Sequence, residues 1–139
     1  MKKVLLTLFG LIIIVSDHNG QSQKQKDIAV LIQGILDLPK LQWIYHPEAS
    51  ERVPVKVLAN GLVTKELKLT KFDKPVLLLT KEEIESKKIT DYINFKRLEL
   101  KGDTATFHLT YDIEGAFADG KLFRTQDKWV VKDYRVGER

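Results

Sequence analysis

The chain contains no cysteine. That excludes disulfides, thiolate catalysis, cysteine-based zinc sites and a lipid-bearing N-terminal cysteine. Histidine is scarce, three in 139 residues, so a transition-metal site would have to gather carboxylates from distant strands. The phosphate-cradling loops G-x-x-x-x-G-K-[ST] and G-x-G-x-x-G are missing, as are G-x-S-x-G, H-E-x-x-H and the EF-hand pattern. No cofactor is expected. Low-complexity tracts, internal repeats and Gly/Ser linkers are also missing, so the length fits one domain and a targeting segment. Basic residues are not gathered into a stripe. They interleave with acids, as in "KEEIESKK", which reads as solvated surface and not as a nucleic-acid interface.

What is present is an ordinary globular balance, 43% hydrophobic and 30% charged, preceded by one distinctive segment. "MKK" gives a positive start, and "VLLTLFGLIIIV" (Val4 to Val15) carries no charge. "SDHNGQSQKQKD" then returns abruptly to polarity. This is the layout of a secretory signal peptide. A twelve-residue helix would be about 18 Å long, too short for the ~30 Å hydrocarbon core of a membrane. Gly20 and Ser22 form a small-x-small pair, so cleavage is expected after Ser22, with Ser16 and Gly20 as alternatives. Residues 1–22 are thus read as signal peptide and 23–139 as a single exported domain. Contact with a membrane is expected only through the uncleaved peptide.

Beyond it, "DIAVLIQGILDLP" reads as a helix capped by Asp27. Ile28, Leu31, Ile32 and Ile35 recur at helical spacing, Val30 and Leu36 widen the stripe, and Pro39 ends it. "LQWIYH" reads as a strand. "RVPVKVLANG" alternates, with Val53, Val55, Val57 and Ala59 on one side, and Pro54 marks a strand start or an edge. Asn60 and Gly61 signal a turn. Val76 to Leu79 is a continuous apolar run suited to a strand covered on both faces. Thr80 to Glu83 form a capping box for a short surface helix, about Lys81 to Lys88, anchored by Ile84.

"YINFKRLELKGDTATFHLTYDI" reads as a hairpin turning at Gly102 and Asp103. Ile93/Phe95 and Leu98/Leu100 are out of step with each other. A β-bulge at Lys96 and Arg97 restores their phase. Leu100 then faces Ala105, Leu98 faces Phe107, Phe95 faces Leu109 and Ile93 faces Tyr111, with Ile113 on the same side. The opposite side carries Thr104, Thr106, His108, Thr110 and Asp112. It pairs Lys96 or Arg97 with His108, and Tyr92 with Asp112. His108 therefore reads as a surface residue beside a cation, with no carboxylate opposite to orient it. "FADGKLFRTQDKWVVKDYRV" reads as two strands around a turn near Gln126 and Asp127. Phe117, Phe123, Val130, Tyr134 and Val136 are placed on one face, and Leu122, Trp129 and Val131 on the other.

The polar candidates for a site are few. His46, Glu48 and Glu51, in "YHPEASER", form the one compact polar group with a histidine, and an exposed loop accounts for it. Arg97, His108 and Asp112 share the polar side of the hairpin. That side lines a cavity if the sheet curves. No residue is assigned a catalytic role.

A helix followed by a strand-rich half ending in "GDTATFHLTYDIEG…DKWVVKDYRV" resembles small exported bacterial proteins of unknown function. Their fold is cystatin-like or nuclear transport factor two-like. The likeness covers roughly the last fifty residues. It implies a helix wrapped by a curved antiparallel sheet, and no catalytic residue carries over from it. The expectation is an α+β domain, one main helix packed on a curved, mostly antiparallel sheet, with a short second helix. The leading function is non-catalytic binding of a protein, peptide or small ligand in the cell envelope or outside. The alternatives are a small sheet-pocket enzyme of lyase, isomerase or hydrolase type, and an inhibitor or immunity-type protein.

Overall fold

A computed structural model of the chain describes residues 18–126 and 128–139, with side chains from Gln23 onward. The first seventeen residues of the expected signal peptide, and Asp127 of the expected turn, lie outside the described residues.

The main helix, α1, spans His18–Leu36. Ile28, Leu31, Ile32, Ile35 and Leu36 turn one buried stripe toward the core. Val30 points away from that stripe and is exposed, so it does not widen it. Asp27 is not the N-cap. The backbone is helical nine residues earlier, because Gln23 to Lys26 are good helix formers that carry no apolar period to announce them. Asp27 instead receives Arg124 Nη1 at 3.3 Å. Leu38 is extended, ψ 131°, as a residue before proline must be.

"LQWIYH" is helical. Pro39–Leu41 form a 3₁₀ turn and Gln42–Tyr45 form α2. Leu41, Ile44 and Tyr45 are buried at spacing i, i+3, i+4, a helical period hidden in a run short enough to pass for a strand. Gln42 donates to the carbonyls of Leu38 and Leu36 at 2.8 and 3.2 Å, and the Tyr45 hydroxyl donates to Leu36 at 2.7 Å. These side chains satisfy orphan carbonyls at the end of α1. Burial pushes the Tyr45 phenol well above its ordinary value, so it stays a donor.

Six strands make one open sheet in the order β4-β1-β5-β6-β7-β8. β1 (Lys56–Leu58) pairs in parallel with β4 (Leu77–Leu79) and β5 (Ile93–Lys101). β6 (Thr104–Tyr111), β7 (Ala116–Thr125) and β8 (Lys128–Glu138) continue antiparallel. The Asn60–Gly61 turn forms, with Val63 N–H on the Asn60 carbonyl. It opens a loop rather than a hairpin, because β1 has parallel neighbours. A separate two-stranded piece, β2 (Thr70–Lys71) and β3 (Lys74–Pro75), is clipped to α1. There the Gln33 amide exchanges hydrogen bonds of 2.8 and 3.0 Å with the Thr70 backbone. β4 is an edge strand and Leu77 is exposed, so the apolar run is not covered on both faces. The capping box forms as expected: Thr80 and Glu83 start α3 (Lys81–Ser86), and Ile84 is its buried anchor.

The bulge between Phe95 and Arg97 is present, and the four apolar pairs of β5 and β6 match the expected register. Arg97 is the residue opposite His108. The expected strand end does not hold. Asp112–Glu114 form a 3₁₀ turn closed by Gly115 at φ +60°, which leaves Ile113 exposed and Tyr92 unpaired with Asp112.

A second register break was not anticipated. On β8 the pairing passes from Lys121↔Asp133 to Leu122↔Val131, leaving Lys132 as the extra residue. Trp129, Val131, Tyr134 and Val136 therefore pack together against the core. Phe117, Phe123 and Val130 belong to the outer side, in register with Thr110, Thr104 and Phe123 respectively. The expected grouping of Tyr134 and Val136 with Phe117 is corrected by that one residue. The core lies between α1, α2, the segment around Val63 to Leu69 and the inner side of the sheet.

Candidate functional site

Among the described residues the outer side of β5–β8 carries no helix, and its two central rows are polar. Arg97, His108, Asp119 and Arg135 form one row, each in register with the next. Glu99, Thr106, Lys121 and Asp133 form the adjacent row. Between them runs an open groove of about 490 Å³, whose charged lining comprises Arg97, Asp119, Lys121, Lys132, Asp133 and Arg135. Thr106 and Phe123 also line it. A second hollow of about 320 Å³ shares Arg97 and reaches Asn60 and Gly61.

The strand geometry explains these placements. Side chains alternate along a strand, and the two bulges change which residue points outward. Arg97 faces the groove because the extra residue at Lys96 shifts its phase, and Lys132 is itself the extra residue of β8. Bulges recur where a strand must re-aim a side chain.

The electrostatics of the groove are uneven. The single Arg135 Nε–H donates a bifurcated hydrogen bond to both Asp119 oxygens, at 2.9 and 3.2 Å. It holds the carboxyl below the usual carboxylate range and pushes the Arg135 guanidinium up. His108 Nδ1 is 3.6 Å from Asp119 Oδ2, and its ring lies 6.2 Å from that of Phe117. A carboxylate does therefore stand opposite His108, on the β7 side, contrary to the sequence expectation. Lys121 and Lys132 lie over the Phe123 ring at 5.9 and 5.1 Å. Among the described residues Arg97, Lys121 and Lys132 make no ion pair.

The other candidates lie elsewhere. His46, at the end of α2 with φ +49°, places Nδ1 2.9 Å from Glu48 and Nε2 3.4 Å from Glu114. Arg52 joins Glu114 at 2.7 Å and the Tyr111 hydroxyl at 3.3 Å. Glu48 is held below its ordinary value by its own backbone N–H and then by His46. This network ties α2 to the turn between β6 and β7, a structural role. Asp112 is exposed and paired with Arg139, away from the groove. Of the five sequence candidates, then, the groove region holds Arg97 and His108, and the tie holds His46 and Glu48. Sequence reading missed Asp119, Lys121, Lys132 and Arg135. The phase clash between Trp129/Val131 and Tyr134/Val136 was the signal that could have found the β8 members.

No group of three or more His, Asp or Glu suited to a metal ion occurs among the described residues. No family model matches the chain, and neither does any curated protein or solved structure compared with it.

Proposed function

We propose that this protein is an exported, non-catalytic binding domain whose binding surface is the groove on the outer side of β5–β8. The observation that carries this is the groove itself: about 490 Å³, within the usual range for small-ligand sites, on a sheet side that no helix among the described residues covers. Export rests on the charged start, apolar run and polar exit of residues 1–22. Kinship with cystatin-like or nuclear transport factor two-like exported proteins belongs to the same reading, and one long helix against a mostly antiparallel sheet is compatible with it.

The experiment is an amide-shift map by NMR while a fragment library is titrated into the purified protein. Saturable shifts gathered on Arg97, Thr106, Lys121 and Lys132 are expected. Saturable shifts confined to other surfaces would overturn the assignment. The enzyme reading has one observation in its favour, the approach of Asp119 to the His108 ring at 3.6 Å. It requires His108 for function, whereas the binding reading expects His108→Gln to keep ligand affinity within about threefold.

A further inference from the structure

We infer that the groove takes a small dianionic ligand, a phosphate monoester or a dicarboxylate. This deepens the reading of the groove as a binding surface and rests on it.

Four cations and two carboxylates line the groove. Arg135 is spent on Asp119 at 2.9 Å, so the pair is neutral. Arg97, Lys121 and Lys132 remain, opposed within the lining by Asp133; Glu99 stands in the same row as Lys121 but does not line the groove. The lining thus holds a surplus of two positive charges, which a dianion matches. Like charges gathered in one concavity repel each other and raise the local concentration of anions.

Both register breaks in the β5–β8 sheet deliver a cation to this groove. A bulge leaves its extra residue outside the ladder and re-aims the side chains around it. Arg97 comes from β5 and Lys132 from β8, three strand spacings apart, or roughly 14 Å. Lys121 stands on β7 between them. The Thr106 hydroxyl adds a neutral donor on β6. Arginine presents a fork of N–H donors matched to the oxygen pairs of phosphate and carboxylate, and lysine adds point charges.

A volume near 490 Å³ suits a small molecule. Phe123, flanked by the two lysines, offers an apolar wall to the uncharged part of such a ligand.

The test is titration of the purified protein with phenyl phosphate, with succinate, and with neutral benzyl alcohol, followed by amide shifts and calorimetry. Saturable binding of phenyl phosphate or succinate is expected at Arg97, Thr106, Lys121 and Lys132, and the tighter of the two identifies the anionic group. Raising salt from about 0.05 to about 0.5 M should weaken it severalfold, because exposed charges are screened. The double variant Arg97→Gln/Lys132→Gln should bind at least about tenfold more weakly. Lys81→Gln, on the exposed side of α3, should bind as the unaltered protein does. Thermal melting checks that each variant is folded. Dianion shifts spread evenly over surface lysines, or a double variant with unchanged affinity, would overturn the inference. If benzyl alcohol or other neutral fragments shift the groove amides and the dianions do not, the charge assignment falls while the groove stands as a binding surface. If neither class shifts them, both readings fall.

Discussion

Asp119 holds its two neighbours unequally. Arg135 reaches it with one bifurcated Nε–H hydrogen bond, at 2.9 and 3.2 Å, while His108 approaches no closer than 3.6 Å. The Arg135 bond lowers its folded-state pKa below the ordinary carboxylate value. Its contribution to stability is therefore complete above about pH 4 and is lost as pH falls through the lowered value. Asp119→Asn should cost about 0.5–1 kcal/mol at pH 7, the scale of an exposed pair. The difference should shrink to nothing in denaturant melts at progressively lower pH. A constant difference down to pH 2 would show that the carboxylate contributes by shape and not by charge. Thr110 makes the opposite case. It is 3% exposed, and its hydroxyl has no hydrogen-bond partner among the described residues. A buried hydroxyl without a partner is a desolvation cost with no return, and valine is as favourable in a strand. Thr110→Val should raise stability by up to about 1 kcal/mol in urea unfolding. A loss above about 1 kcal/mol would mean that a water or an undescribed group satisfies the hydroxyl.

The two bulges govern what each side of the sheet presents. Deleting Lys96 or Lys132 removes the extra residue and leaves a regular ladder in which every other pair keeps its partner and its side. Deleting Glu99 or Val130 instead makes Leu98 and Leu100, or Trp129 and Val131, adjacent, so one of each pair must turn out; all four are partly buried against the core. Complete burial of a large apolar side chain is worth about 1.5–3 kcal/mol. Turning out one half-buried side chain should make each ladder deletion cost roughly 1–2 kcal/mol more than the deletion of Lys96 or Lys132 in the same strand. Lys96→Ala and Lys132→Ala should cost under about 0.5 kcal/mol, as surface changes do. Chemical denaturation of these variants checks this, and ladder deletions no costlier than deletions of Lys96 or Lys132 would disprove the phase argument. The first bulge was legible in the sequence because the Gly102–Asp103 turn anchors the register and the opposite strand alternates cleanly. The second was not, because Phe117, Phe123 and Val130 place apolar groups on the outer side and blur the alternation. The same blur hid most of the groove: without the β7 register, Asp119 and Lys121 cannot be placed beside His108 and Thr106. Strands β1 and β4 were legible as strands, inside the runs Val53–Ala59 and Val76–Leu79, but their parallel pairing was not. Each pairs over three residues or fewer, and local alternation carries no information about the direction of a distant partner.

At the scale of the whole molecule, α1 starts before the core does among the described residues. The buried stripe of α1 begins at Ile28, while Gln23, Lys24, Gln25 and Lys26 are all exposed. Cleavage after Ser22 would fall inside the helical span His18–Leu36, on a segment whose following four residues have no place in the core. Removing exposed helix ends costs little, because most helical stability comes from packing an apolar face. The domain is therefore expected to tolerate a cut after Ser22. Chain 23–139 should unfold in urea within about 1 kcal/mol of the longer chain, with an unchanged slope. In native cells the protein should be recovered outside the cytoplasm with Gln23, or a residue close to it, as its first residue. N-terminal sequencing of the cell-fractionated protein reads that out. An intact Met1 in the cytosolic fraction would refute export, and a truncated chain destabilised by several kcal/mol would show that residues before Gln23 belong to the fold.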